Sequence, residues 1–347
     1  MRQLTFINPG KFEWHDVPPP KIKSDTDAIV RPIAVARCDL DLYIAAGAVP
    51  YPGPFAFGHE AVAEVVEAGP KANVAKGDRV VVPFQLSCGR CATCRRGHPN
   101  TCEAYPARAA FGLKPASGTE FGGALSDLMY VPFADHMLVR LPKTLDPVAI
   151  ASTSDNVPDG WRAVAAPLKA RPGATVLIVG GLAQSVGLYA AASAAALGAG
   201  RVLYLDDDPV RRAAAQRFDI EVEPLALAER RERKPHAQFA ITVDAAGNPD
   251  ALDFVISSTA PNGVCTSVAI YFTPTTPMPL LKMYGKGITF ITGRVDARAH
   301  LHEVLERCAG GHFHPEHVTS RVVPFSQAAE AMTDSGPKLV FTNDGAT

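Results

Sequence analysis

Residues 175–206 read TVLIVGGLAQSVGLYAAASAAALGAGRVLYLD, and their order decides the fold. Thr175 to Val179 is an apolar, β-branched run of one buried strand's length. Gly180-Gly181 interrupts it. An Ala-rich stretch from Ser185 to Leu197 then has the composition of a helix, stopped at Gly198, and Arg201 to Asp206 is the next strand. Asp208-Pro209 supplies an N-cap followed by Pro at the first helical position, which predicts a helix to about Phe218. Further strands are expected at Phe239 to Val243, Gly263 to Ile270 and Gly287 to Ile291, with a helix over Asp250 to Ser258 between the first two. Strands alternating with helices make βαβ units, hence a parallel sheet covered on both faces. The class is α/β, doubly wound.

Outward from this core the pattern changes. The first 150 residues hold short Val-rich strand candidates, Ala28 to Ala36, Ala61 to Ala68 and Arg79 to Val82, with Pro, Gly and Asp between them. They read as an irregular β domain. A helix from about Ala297 to Ala309 and a strand-like stretch, Lys338 to Phe341, close the chain.

At 347 residues the chain is long enough for two domains. Its 34 Lys and Arg balance 35 Asp and Glu, and only 20% of residues are charged. That argues against a basic nucleic-acid binder and against an acidic disordered chain. Hydrophobic residues make up 47%, enough for a sizeable core. Met1 to Asp16 has no apolar run flanked by positive charge, so no signal peptide is expected. The longest apolar candidate, Gly187 to Gly200, is too short for a membrane span. The expectation is a cytoplasmic protein with neither nucleic-acid nor membrane partner.

Seven cysteines make an odd total, and four of them, Cys88, Cys91, Cys94 and Cys102, are spaced C-x2-C-x2-C-x7-C. Thiolates this close can converge on one ion, and four sulfurs in a tetrahedron are the usual closed site for structural zinc. Two local disulfides rank lower, because bridges between residues three apart are strained and close almost no loop. An iron–sulfur cluster usually places its fourth Cys three residues on, before Pro. A second, dispersed set is Cys38, Gly58-His59-Glu60 and Asp155. Alone it reads equally as a buried small thiol, a satisfied core histidine and a loop or helix-cap carboxylate.

The sequence of these signals is informative: a Cys, a Gly-His-Glu turn and a four-Cys lobe precede a dinucleotide-type fold. Cys38 with Asp41, Gly58-His59-Glu60, Gly77-Asp78-Arg79-Val80, the four-Cys lobe, and Asp155 with Gly160 resemble the landmarks of the zinc-dependent medium-chain alcohol dehydrogenases. The resemblance runs over nearly the whole chain. Asp at 155 is similar to the formaldehyde, polyol and bacterial secondary alcohol dehydrogenase branches.

The resemblance implies an N-terminal irregular β (GroES-like) catalytic domain plus a Rossmann doubly wound parallel sheet. The catalytic domain is expected over 1–155, with a zinc lobe at about 86–104, completed by 293–347; the dinucleotide domain is expected over 156–292. It further implies that Cys38, His59 and Asp155 hold a catalytic zinc, with Glu60 a close or direct ligand, and that Asp41 orients His59. Three ligands leave one position open for substrate. The implied reaction moves hydride between an alcohol, aldehyde or ketone and NAD(H). Family members are dimers or tetramers, so a homodimer or homotetramer is expected.

Two departures stand out. Leu40 occupies the place where the family has a Ser or Thr that relays the alcohol proton, and Tyr43 is a poor shuttle with an ordinary pKa near about 10. The cofactor loop G-G-L-A-Q-S-V-G is two residues longer than G-x-G-x-x-G, so Leu182 and Gln184 fall on the first two glycine positions counted back from Gly187. Gly180, Gly181, Gln184, Ser185, Val186 and Gly187 remain the expected phosphate loop, aiming N–H groups of residues 184–186 from the helix N-terminus. Asp206, nineteen residues past Gly187, is expected to bond the ribose hydroxyls and to favour NAD over NADP, with Asp207 and Asp208 adding negative charge.

The departures keep alive a non-catalytic zinc and dinucleotide sensor or scaffold; the intact ligand set opposes it. His312, His314 and His317 are expected to be a solvated loop rather than a third metal site. Phe84 and Trp161 either line an apolar substrate pocket or belong to the core, and Cys265 and Cys308 are expected to be buried and structural.

Overall fold

Strand–helix alternation after residue 170 is realised as a parallel sheet. The computed structural model describes residues 1–114, 120–232 and 237–343. Among them, six strands lie in the order Glu221–Glu223, Arg201–Leu205, Thr175–Val179, Phe239–Asp244, Thr259–Ser267 and Thr289–Thr292, every neighbouring pair parallel. The chain winds outward from Thr175–Val179 to one edge and then returns to its other side, which creates a topological switch point at the centre. Register pairs Val179 with Leu205 and with Asp244, so Gly180, Asp206 and Ala245 leave the sheet at one level. The helix Gln184–Ala196 is buried from Ser185 to Ala194, as its small side chains permit.

Several elements carry no clear sequence signal, and two of them are instructive. Glu221–Glu223 is a three-residue, mostly exposed edge strand with two glutamates and no apolar run. The helix Asn156–Ala170 contains Pro158 and Pro167, which disguise its periodicity. The strand expected at Gly263 to Ile270 runs instead over Thr259–Ser267, directly after the helix Pro249–Ser258. Asp208 caps the helix Pro209–Ala215, its carboxylate accepting from the Val210 and Arg211 N–H groups at 2.8 and 3.0 Å.

The chain divides into two compact units. One comprises Met1–Pro158, Val295–Gly311 and Thr319–Thr347; the other comprises Asp159–Arg294 and His312–Val318. His312–Val318 belongs with the parallel sheet because the turn Pro315–Val318 packs on the helix Gln184–Ala196.

The first unit is built on an antiparallel sheet. Its path is Leu339–Thr342, Ala28–Ala36, Glu60–Ala68, Arg79–Val82 and Val139–Arg140, with Arg321–Pro324 added in parallel beside Leu339–Thr342. Ala28–Ala36 is the pivot. It is buried on both faces at Ala28, Val30, Val35 and Ala36, and its core continues into an aromatic cluster of Phe6, Phe12, Phe55 and Phe57. No helix among the described residues is long and apolar enough to cross a membrane.

Candidate active site and metal centres

Strand register assembles the first site. Ala36 pairs with Glu60 on one side and with Val340 on the other. Residues just past these ends, Cys38, His59 and Lys338, therefore meet at one end of three adjacent strands. Cys38 begins the helix Asp39–Ala45, and its N–H donates to Asp41 Oδ2 at 3.0 Å. That bond turns the other Asp41 oxygen towards His59, with Oδ1 to Nδ1 at 3.5 Å, a charge contact rather than a hydrogen bond. Asp41 thus stands on the back of the imidazole, and it is buried. On the front, His59 Nε2 lies 3.3 Å from Asp155 Oδ2. Asp155 sits at the joint between the 3₁₀ turn Ala151–Ser154 and the helix Asn156–Ala170.

Cys38, His59, Glu60 and Asp155 are all buried, and one ligand atom from each lies within 4.8 Å of the others. Sequence reasoning missed two neighbours. Asn156 donates to Cys38 Sγ at 3.3 Å and to Asp155 Oδ2 at 3.1 Å. Lys338, wholly buried, donates to both Glu60 oxygens at 3.0 and 3.3 Å, to Asn156 Oδ1 at 2.7 Å and to the Arg37 carbonyl at 2.8 Å. The only sequence signal for either was a charged residue opening an apolar strand and an amide beside Asp155.

The donor set fits a divalent cation. Three buried carboxylates and a thiol face one lysine and one imidazole, leaving negative charge in a low-dielectric interior. Burial and like charge act together on these groups. Burial, then Asp155 and Glu60, push the Cys38 thiol well up. Burial pushes Glu60 up to about 7 despite Lys338. Burial alone would lower His59, yet Asp41, Asp155 and Glu60 carry it to about 9. A bound dication reverses this logic by stabilising the thiolate, the carboxylates and the neutral imidazole together. Phe84 packs its ring 5.3 Å from that of His59, so it belongs to this site's apolar wall. Trp161 does not: it is wholly buried in the sheet-bearing unit against Phe313.

The four-Cys lobe forms the second set. Cys88, Cys91, Cys94 and Cys102 each offer a sulfur within 4.8 Å of the others, and none of the four is in a disulfide. The loop folds to point N–H groups at sulfur. Cys88 Sγ accepts from the Arg90 and Cys91 N–H groups at 3.4 Å each, and Cys102 Sγ accepts from the Cys88 N–H at 3.3 Å. The Thr93 hydroxyl, then backbone N–H groups, lower Cys91 to about 5, favouring the thiolate that a metal needs. Gly89 has φ +69°, and a Cβ there would sit 2.6 Å from the His136 ring, so only glycine serves.

In the sheet-bearing unit the lengthened loop is stitched sideways. Leu182 and Ala183 donate to the carbonyls of Ala246 and Ala245 at 3.1 and 3.0 Å, which absorbs the two extra residues against the neighbouring strand end. The helix then starts at Gln184, with Ser185, Val186 and Gly187 buried in its first turn. Gly180 and Gly181 lie in the strand exit; a side chain at Gly180 would collide with the Asp206 carboxylate and the Tyr204 hydroxyl.

Asp206 is held in a network that its place in the sequence does not show. It is 1% exposed. Arg211 grips it through Nε and Nη2 at 2.7 and 2.8 Å, Tyr204 donates to Oδ2 at 2.8 Å, and the Asp208 N–H donates to Oδ1 at 2.9 Å. Asp207 accepts from the Ala226 N–H at 2.9 Å and Asp208 is the helix cap. Each of the three acidic side chains thus has partners within the fold, and Arg211, five residues past Asp206 on the next helix, is the residue sequence reasoning overlooked.

Comparison with known proteins follows the same two halves. Residues 24–143 match the alcohol dehydrogenase GroES-like domain, and residues 185–310 match the zinc-binding dehydrogenase domain. The chain is 35% identical to a glutathione-independent formaldehyde dehydrogenase of Pseudomonas aeruginosa over 65% of its own length and 59% of that relative's, so it spans less than two thirds of that protein. It is 27% identical to a probable zinc-binding alcohol dehydrogenase of Mycobacterium tuberculosis over 98% of this chain and 88% of that one. The structure superposes on an alcohol dehydrogenase of Thermus sp. ATN1 with a TM-score of 0.88 at 27% identity, covering 99% of both chains. With both domains matched and the two cysteine-bearing donor sets in place, the chain belongs to the zinc-dependent medium-chain alcohol dehydrogenase family.

Proposed function

We propose that this protein is an NAD-linked, zinc-dependent dehydrogenase that interconverts a small alcohol with its aldehyde or ketone. One observation carries the reading: Cys38, His59 and Asp155 converge in a buried pocket whose surplus negative charge calls for a dication. A sensor or scaffold would have no need to keep that costly set. Cys38, His59 and Asp155 would hold the zinc, which would supply Lewis acidity for the substrate oxygen, and NAD would supply the hydride acceptor.

The chain's own residues do the rest. Asp41 braces the imidazole of His59 from behind. Asn156 holds Cys38 Sγ and Asp155 in one frame, while Lys338 restrains Glu60. Leu40 and Tyr43 pack against the apolar core of the first unit, so position 40 offers no hydroxyl for the alcohol proton, and water or another group takes that part. Cys88, Cys91, Cys94 and Cys102 are assigned to a structural zinc. Cysteines kept as thiols suit a reducing compartment, in keeping with a cytoplasmic enzyme.

A homodimer or homotetramer is proposed from the surface of the sheet-bearing unit. Among the described residues Thr289–Thr292 is an edge strand, and Leu280, Leu281 and Tyr284, on the helix that precedes it in the chain, are 66%, 84% and 87% exposed. The test of function is an alcohol and aldehyde panel followed through NADH absorbance, with Cys38→Ala as control. Turnover that survives in Cys38→Ala, or none with any substrate, would overturn the reading.

A further inference from the structure

The three histidines expected to be a solvated loop are not equivalent in the fold. His314, Glu316 and His317 offer ligand atoms that lie within 4.8 Å of one another, whereas His312 stands apart from the group. Their convergence follows from backbone geometry. Pro315–Val318 is a 3₁₀ turn, in which side chains three apart eclipse, and the His317 N–H closes it onto the His314 carbonyl at 3.2 Å. The two imidazoles accordingly lie almost parallel, 19° apart, with centroids at 5.3 Å.

The frame beneath is fixed. Phe313, Pro315 and Val318 are buried, so the turn is pinned on both sides of the polar residues. The His317 ring stacks on Phe218 at 6.5 Å, and Arg217 donates to the His317 carbonyl at 3.2 Å. Glu316 Oε1 already lies 3.0 Å from His314 Nδ1. Donors around a tetrahedral ion with bonds near about 2.1 Å stand about 3.4 Å apart, so this pair is close to the spacing of co-ligands. The third donor needs only the rotation of a partly exposed side chain.

We propose that His314, Glu316 and His317 form a surface site for a divalent transition metal, zinc foremost, separate from the two donor sets of the first unit. Two imidazoles and one carboxylate are a borderline-soft set that suits zinc, and they leave a coordination position open to water. The solvent-facing placement makes the metal exchangeable, unlike the buried sites.

The test uses full-length protein with its resident metal, equilibrated by dialysis against buffered free Zn²⁺ and analysed for metal per chain. Wild type is expected to bind one more zinc than His314→Ala/His317→Ala, and Glu316→Gln is expected to bind that zinc at least about tenfold more weakly. Cu²⁺ added as a spectroscopic probe should show two nitrogen ligands by electron paramagnetic resonance in wild type and none of that signal in the double variant. Equal zinc uptake by wild type and double variant, with both folded by circular dichroism, overturns the site and identifies His314–Glu316 as an ion pair alone. Because the readout is a difference in metal content, it is independent of any dehydrogenase activity.

Discussion

Lys338 Nζ lies 3.0 and 3.3 Å from the two carboxylate oxygens of Glu60, both residues are wholly buried, and 278 positions separate them in the chain. The contact ties the C-terminal strand to the candidate active site. Lys338→Met should leave Glu60 buried without a counter-charge and cost about 3–5 kcal/mol of stability. Urea unfolding measures it; a loss below about 1 kcal/mol would show that the lysine is dispensable.

Metal content separates the two buried donor sets. After a mild chelator wash, wild type should retain about two zinc ions per chain. Cys38→Ala should lose one and stay folded, whereas Cys91→Ala should lose the other and become heat-labile, because closed cysteine sites contribute directly to folding. Loss of both ions from Cys38→Ala alone would contradict the division.

Asp206 is neutralised by Arg211, which softens its discrimination between cofactors. Wild type is expected to bind NADH more tightly than NADPH in a fluorescence titration. Arg211→Gln should widen that gap by about tenfold, or about 1.4 kcal/mol, by restoring unpaired negative charge. Tighter NADPH binding in wild type would refute the assignment of NAD.

His136 reports on acid sensitivity beside the cysteine lobe. Burial, then Arg298, lower it to about 4, while its Nε2 meets the Ser87 hydroxyl at 3.0 Å. In the unfolded chain an imidazole takes its proton near about pH 6.5, before the folded form does. Stability from this group is therefore complete above that pH and falls as the pH drops towards 4. Unfolding midpoints at pH 7.5 and pH 5 should differ more for wild type than for His136→Gln. Equal differences would remove His136 from the account.

Light scattering tests the exposed flank of the parallel sheet. Leu281→Asp with Tyr284→Ser should shift an assembled species to monomer, because a charge is placed in an apolar contact on the helix that precedes an edge strand. An unchanged mass places the interface elsewhere.

What sequence alone determined here is local in the chain. The Cys88–Cys102 lobe, the strand–loop–helix from Thr175 and the Asp208 cap each rest on residues close in the chain, where spacing and residue type favour one arrangement. Family landmarks extended this to Cys38 and Asp155, whose own neighbours are ambiguous. Tertiary structure decided the partners: Lys338 for Glu60, Asn156 for Cys38 and Asp155, and Arg211 for Asp206. It moved Trp161 into a core and drew His314, Glu316 and His317 together. The reason is physical. Strand register and side-chain direction choose which distant groups meet, and burial then makes each meeting obligatory, since an uncompensated charge in the interior costs more than the fold can spare.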